Sequence, residues 1–108
     1  MPKINFKLNE FFKLNDKEFI NYIFKQGNKK PQKVSVIFYV ESPRFKFLIT
    51  FKRKLLNSVR RNKLKRQIKE FIRLNQYNLK EINCAILIVK IPASKIQLLK
   101  ELEFLLTI

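Results

Sequence analysis

Apolar residues recur along this chain in two alternating rhythms. From Lys17 to Lys25 the spacing is helical: Phe19, Ile20, Ile23 and Phe24 share a face, Asn15 or Asp16 offers an N-cap, and Gln26-Gly27-Asn28 supplies a stop. Tyr22 lies off that face, either partly packed or free to stack on a ligand. After a basic turn at Lys29-Lys30-Pro31 the period becomes two. Val34, Val36, Phe38 and Val40 line one face of a strand, and past Ser42-Pro43, Phe45, Phe47, Ile49 and Phe51 line one face of a second. The short connection predicts an antiparallel hairpin. Arg44, Lys46 and Lys52, on the other face of the second strand, predict a basic sheet surface.

Helical spacing returns from Ser58 to Arg73, with Asn57 or Ser58 as N-cap. Leu64, Ile68, Phe71 and Ile72 fall within an arc of about 100°, the width of a core-facing stripe. Asn62, Arg66, Lys69 and Arg73 collect on the opposite side in a strip about 60° wide. Beyond the polar connection Asn75 to Asn83, the run Cys84 to Ile91 is almost wholly apolar, which suits a strand covered on both faces and reached by a crossover helix. Cys84 reads there as a small core residue. Pro92 ends the strand, and Ser94 starts a last helix that should bury Ile96, Leu99, Leu102 and Leu106. Met1 to Leu14 carries Ile4, Phe6, Leu8, Phe11 and Phe12 without a clean period and reads as an ordered arm. The order helix, hairpin, helix, strand, helix predicts one α+β domain over residues 1–108.

Charge changes this picture more than composition does. The chain has 46% hydrophobic residues, ordinary for a globular protein, so its net charge of +16, from 24 Lys plus Arg against 8 Asp plus Glu, sits on a folded domain. Such a balance calls for a polyanionic partner, nucleic acid first. Enrichment in Lys, Asn, Ile and Phe together is also what an AT-rich coding sequence produces, but that drift does not place Arg60, Arg61, Arg66 and Arg73 on one helix. No apolar run reaches the length of a membrane span, and MPKINFKLNEFF lacks the apolar core of a signal peptide, so the expectation is a cytoplasmic protein with no membrane partner.

Several chemistries are excluded. With no histidine and one cysteine, neither a usual zinc site nor a His-dependent acid, base or nucleophile pair can be assembled. The acidic residues are scattered, without a paired-carboxylate site for two metals. One glycine rules out a Gly-rich phosphate loop. A helix-turn-helix reading lacks a second helix joined by a short turn to Ser58–Arg73. A membrane-surface helix accounts less well for Arg and Asn in a narrow strip. An RNA-binding protein fits better than either, and the expectation is that any reactive centre it serves lies elsewhere.

At Arg60-Arg61-Asn62-Lys63-Leu64-Lys65-Arg66 the chain resembles the protein subunit of bacterial ribonuclease P, whose signature is an Arg-Asn-Arg helix followed by an aliphatic residue and Lys-Arg. Lys13-Leu14 with Glu18 to Phe24 is similar to the family's first helix, Lys52-Arg53-Lys54 to the basic residues before the signature, Glu70-Phe71-Ile72-Arg73 to its continuation, and Ala85 to Val89 to a later buried strand. The chain departs from the pattern at Lys63, where the family has arginine, so a bidentate phosphate contact there becomes a point-charge contact. It departs also at Leu48, where glycine is common, and in ending on the apolar run Phe104 to Ile108 without a basic tail.

The resemblance implies a small two-layer α/β sandwich related to the second domain of ribosomal protein S5. It implies a four-stranded sheet, of which only three strands are legible here, and a left-handed βαβ crossover carrying the signature helix. It further implies the non-catalytic protein subunit of a ribonucleoprotein endoribonuclease that removes the 5′ leader from precursor tRNA. The protein would bind no cofactor or small-molecule substrate, and Mg2+ would enter through the RNA subunit. Contacts to that RNA are implied for Lys52, Arg53, Lys54, Arg60, Arg61, Asn62, Lys63, Lys65, Arg66, Lys69 and Arg73. Arg61 projects toward the apolar side on the helical wheel, so it either reaches RNA past the core edge or fixes local structure. Leader contacts are assigned to Tyr22, Phe24, Val36 and Phe38, with Phe24 equally suited to the core. The alternative is a ribosomal-type structural RNA-binding protein.

Overall fold

The structure, a computed structural model, describes Leu14 and residues 16–107. Apart from Leu14, the apolar arm lies outside the described residues, as do Lys13, Asn15 and Ile108. The elements run α1 (Lys17–Gln26), β1 (Asn28–Pro31), β2 (Ser35–Glu41), β3 (Lys46–Phe51), α2 (Ser58–Leu74), β4 (Ile82–Ile88), α3 (Lys95–Leu102) and α4 (Phe104–Thr107).

Local chemistry fixes α1 at both ends. The Asp16 carboxylate accepts hydrogen bonds from the amides of Glu18 (3.1 Å) and Phe19 (3.3 Å), occupying donors the first turn leaves free. At the other end Gly27 is extended, with φ −71°. Its lack of a side chain matters for space: a Cβ there would stand 2.5 Å from the Ile23 carbonyl oxygen and 3.1 Å from that of Tyr39.

The sheet has four strands in the order β1-β2-β4-β3. The predicted hairpin is absent. β2 and β3 do not pair; β4 lies between them, antiparallel to β2 (Ser35 opposite Ile88, Glu41 opposite Ile82) and parallel to β3 (Lys46 opposite Asn83, Phe51 opposite Ile88). Strands about 4.8 Å apart put β2 and β3 about 10 Å from each other, which residues 42–45 can span at roughly 3.3 Å per residue. The gap is filled by the most apolar segment of the chain, which gains by having both faces covered. The strand that the sequence pattern did not reveal is β1, the basic turn at Lys29-Lys30-Pro31, paired with β2 at the sheet edge. All four of its residues are exposed, and its proline is tolerated at an edge.

Two apolar clusters cover the two faces of the sheet. On one, Ile82, Cys84, Ile86 and Ile88 of β4 meet Ile68 and Ile72 of α2, Leu98 and Leu102 of α3, and Leu105 of α4. On the other, Ala85 meets Leu14 and Ile23, with Phe24, Phe38 and Leu48 packed around them. Because Leu48 is taken into that cluster and Arg44 and Lys52 lie outside β3, the expected basic sheet surface is reduced to Lys46 at the start of the strand.

The last helix starts as expected, its Ser94 side chain accepting from the Gln97 amide at 3.2 Å. The expected single helix is broken at Glu103 into α3 and α4, and the buried register differs: Leu98 and Leu102 of α3 and Leu105 of α4 are fully buried, whereas Ile96 is 67% exposed. The Glu101 carboxylate ties α3 to the sheet, accepting from the Val34 and Ser35 amides and from the Ser35 hydroxyl at 2.7 Å.

Candidate nucleic-acid interface

Between β3 and α2 the chain turns tightly through Lys52, Arg53 and Lys54, all exposed. The Leu55 amide donates to the Lys52 carbonyl at 3.1 Å, and Lys54 sits at φ 63°, a left-handed conformation that glycine or asparagine usually takes. Three consecutive cations are therefore held on a rigid corner. The Asn57 side chain then accepts from the Arg60 amide at 2.9 Å and starts α2.

The two faces expected of α2 are present. Ile68 and Ile72 are fully buried, and Leu64 and Phe71 pack against the same cluster. Opposite them, Asn62, Lys65, Arg66, Lys69, Glu70 and Arg73 line a shallow recess of about 350 Å3. Lys65 is half-buried, its ammonium 6.0 Å from the centre of the Phe51 ring. Arg73 forms a bidentate ion pair with Glu70, with Nε donating to Oε2 at 3.1 Å and Nη2 to Oε1. These bonds, with the charges of Arg73 and Lys95, hold the Glu70 carboxyl below its ordinary pKa, and the same pairing raises that of Arg73.

The remaining basic residues divide. Arg60 and Lys63 lie on another flank of α2, in a recess shared with Lys95. Arg61 is exposed and lines neither recess. Of the expected leader contacts, Phe24, Val36 and Phe38 share the side of the sheet that α1 covers. The Phe24 and Phe38 rings lie 4.9 Å apart at 59°, both half-buried, and the Lys29 ammonium stands 5.5 Å from the Phe38 ring centre. Lys29 was hidden in sequence because its cross-strand neighbour Phe38 becomes visible only once β1 is paired with β2. Tyr22 is separate. It is 51% exposed, stacks on Phe19 at 6.0 Å, and sits beside Asp16 and Glu18. Those carboxylates make its surroundings the poorest of the four for a phosphate chain. Cys84 is fully buried, and loss of solvation pushes its thiol pKa well up, leaving it inert as a nucleophile.

No curated protein matches the chain in sequence. The fold is similar to that of solved RNase P proteins. A Staphylococcus aureus RNase P protein mutant with defective mRNA degradation activity is 20% identical, with a TM-score of 0.79 over 91% of this chain and 87% of that one. The S. aureus RNase P protein itself is 22% identical, with a TM-score of 0.77 over 89% and 93%. The Thermotoga maritima RNase P protein is 24% identical, with a TM-score of 0.77 over 89% and 96%. The sequence model of the ribonuclease P family matches residues 8–108. With nearly the whole length accounted for, the chain belongs to the ribonuclease P family.

Proposed function

We propose that this chain, as the protein subunit of ribonuclease P, binds the catalytic RNA subunit along α2 and the 5′ leader of precursor tRNA on the α1 side of the sheet, assisting removal of that leader. The observation that carries this reading is the division of α2 into a buried aliphatic face and a recessed basic one, which fixes the cations on a rigid element. Arg66, Lys69 and their neighbours neutralise phosphates where RNA segments converge and lower the repulsion opposing compaction. Phe24 and Phe38, rings half open beside Lys29, offer unpaired bases a stacking surface and their backbone a counter-charge.

Phosphodiester hydrolysis in this reading belongs to the RNA with its Mg2+. Glu70, the acidic residue of the basic recess, is hydrogen-bonded to Arg73. The reading places the protein in the cytoplasm; no helix among the described residues is long and apolar enough to cross a membrane.

The test is binding to the RNA subunit over a range of salt concentrations. Replacing Arg66, Lys69 and Arg73 by Ala should leave the fold intact and make the salt dependence shallower, each lost phosphate contact accounting for about 0.7 to 0.9 of the logarithmic slope. An unchanged slope would remove the strip from the interface. Sequencing the RNA that co-purifies from the native cell separates this reading from a ribosomal one.

A further inference from the structure

Helix α2 carries cations on a second flank. Arg60, Lys63 and Gln67 recur at helical spacing, roughly 120° around the axis from the centre of the Asn62–Arg73 strip. Facing them is the segment from Ile91 to Lys95 that leads from β4 into α3, and between the two lies a recess of about 320 Å3. Its lining has two chemistries. Arg60, Lys63 and Lys95 bring positive charge, and none of them forms an ion pair among the described residues, where Arg73–Glu70 is the pair present. Glu70 feels the charge of Lys95 through space, but its carboxylate is hydrogen-bonded to Arg73.

Gln67 and Ser94 add neutral polar groups, and the apolar part of the lining is Leu56 and Leu64 from the α2 side and Ile91, Pro92 and Ala93 from the other. Leu56 belongs to the buried core, whereas Ile91 is 52% exposed. An aliphatic side chain held open beside three cations adds nothing to the core and weakens the site for a bare anion. It suits a ligand that is charged at one end and flat and apolar at the other.

An RNA duplex keeps its bases stacked and offers such a recess only phosphates and riboses, whereas an unpaired nucleotide offers both a phosphate and a base face. We propose that this recess binds one unpaired nucleotide of an RNA strand, its phosphate on Arg60, Lys63 and Lys95 and its base against Ile91 and Pro92. The inference rests on the RNA-binding reading above. It makes α2 a wedge between two RNA segments, one on each flank.

The experiment uses the full chain and three probes: a labelled oligouridylate of about eight nucleotides, within the site size of single-strand binders, a blunt RNA duplex of the same length, and inorganic polyphosphate as a chain of charges without bases. Oligouridylate carrying 4-thiouridine should cross-link to the peptide spanning Ile91–Lys95. Replacing Lys63 and Lys95 by Ala should lower the logarithmic salt slope for oligouridylate by about 1.4, two single-strand contacts at about 0.7 each. Ile91→Ser should weaken oligouridylate several-fold and leave polyphosphate competition unchanged. Both Ile91 and Lys95 are exposed, so circular dichroism should show these variants folded.

The proposal is overturned if Ile91→Ser moves both probes equally or neither, if the duplex binds better than the single strand, or if cross-links fall only on the aromatic residues under α1. The Arg66→Ala/Lys69→Ala pair separates it from the wider reading. Should that pair leave RNA-subunit binding untouched while the Ile91 and Lys95 effects on oligouridylate persist, the ribonuclease P interface is wrong and the nucleotide site stands.

Discussion

The two faces of the sheet are built to different standards. Over one, α2, α3 and α4 close a cluster in which twelve described residues are buried, six of them isoleucines. Over the other, the ten-residue helix α1 seals only Leu14, Ile23 and Ala85, and the aromatic rings around them stay half-exposed. The first face therefore carries most of the stability that apolar burial provides. The second keeps Phe24 and Phe38 in place without closing them off. A face that is to receive bases cannot also be the best-packed part of the core, because the area hidden by packing is the area a ligand would use.

The strongest way to break that comparison is to truncate matched isoleucines, since Ile68 and Ile23 are both fully buried, one on each face. Ile68→Ala should cost about 2 to 5 kcal/mol, as large-to-small core changes do, and Ile23→Ala should fall at the low end of that range because its thinner surroundings can relax into the space. Urea denaturation measures both; an Ile23 variant as damaged as the Ile68 one would remove the distinction. Next comes Gly27→Ala, where the added Cβ would press on two backbone carbonyls that cannot move aside. The expected loss is about 1 to 3 kcal/mol, the usual range for overpacking. It should be accompanied by faster hydrogen exchange in α1 but not in α2. Smaller for the fold is Phe38→Leu, a swap of apolar side chains that should cost under about 1.5 kcal/mol of stability. Losing the ring face should still weaken single-strand binding by about 1 to 3 kcal/mol per stacked base. Unaltered binding would show that the open rings serve packing alone.

What was legible in the sequence follows the same division. The faces of α2 could be read because Ile68 and Ile72 are flanked by Lys, Arg and Glu, so only one register buries apolar surface. β4 could be read from the apolar run Cys84 to Ile91, but the strand itself is Ile82–Ile88, so it starts inside the expected polar connection and ends before Pro92. Across α3 and α4 the segment from Leu98 to Leu106 is so rich in leucine that the set 98, 102, 105 and the set 99, 102, 106 both fit helical spacing, and contact with the sheet chose the former. Strand pairing was out of reach for a different reason: alternation reports which residues share a face and nothing about which strand lies alongside. That left the hairpin misassigned and β1, exposed along its length, read as a turn. The basic strip of α2 was legible residue by residue, but the recess at Ile91–Lys95 depends on bringing together α2 and the start of α3, which no local pattern encodes.

The smallest expected effect concerns Glu70, the one acidic residue in the Asn62–Arg73 recess. Its pKa is depressed by Arg73, so the pairing is present above the ordinary carboxylate range and is lost as pH falls through the lowered value. Both side chains remain partly open to solvent, which screens the pair, so it should contribute little to stability. Its consequence is for binding: while ionised, Glu70 competes with RNA phosphates for the Arg73 guanidinium. Glu70→Gln should therefore leave the thermal midpoint nearly unchanged, tighten RNA-subunit binding modestly at neutral pH, and steepen the logarithmic salt slope by no more than the roughly 0.7 to 0.9 of one added contact. As pH is lowered through the Glu70 titration, the wild-type protein should gain affinity and close the gap to the variant. Weaker binding by Glu70→Gln would mean instead that the carboxylate holds Arg73 in the orientation RNA requires, making Glu70 part of the basic face rather than a brake on it.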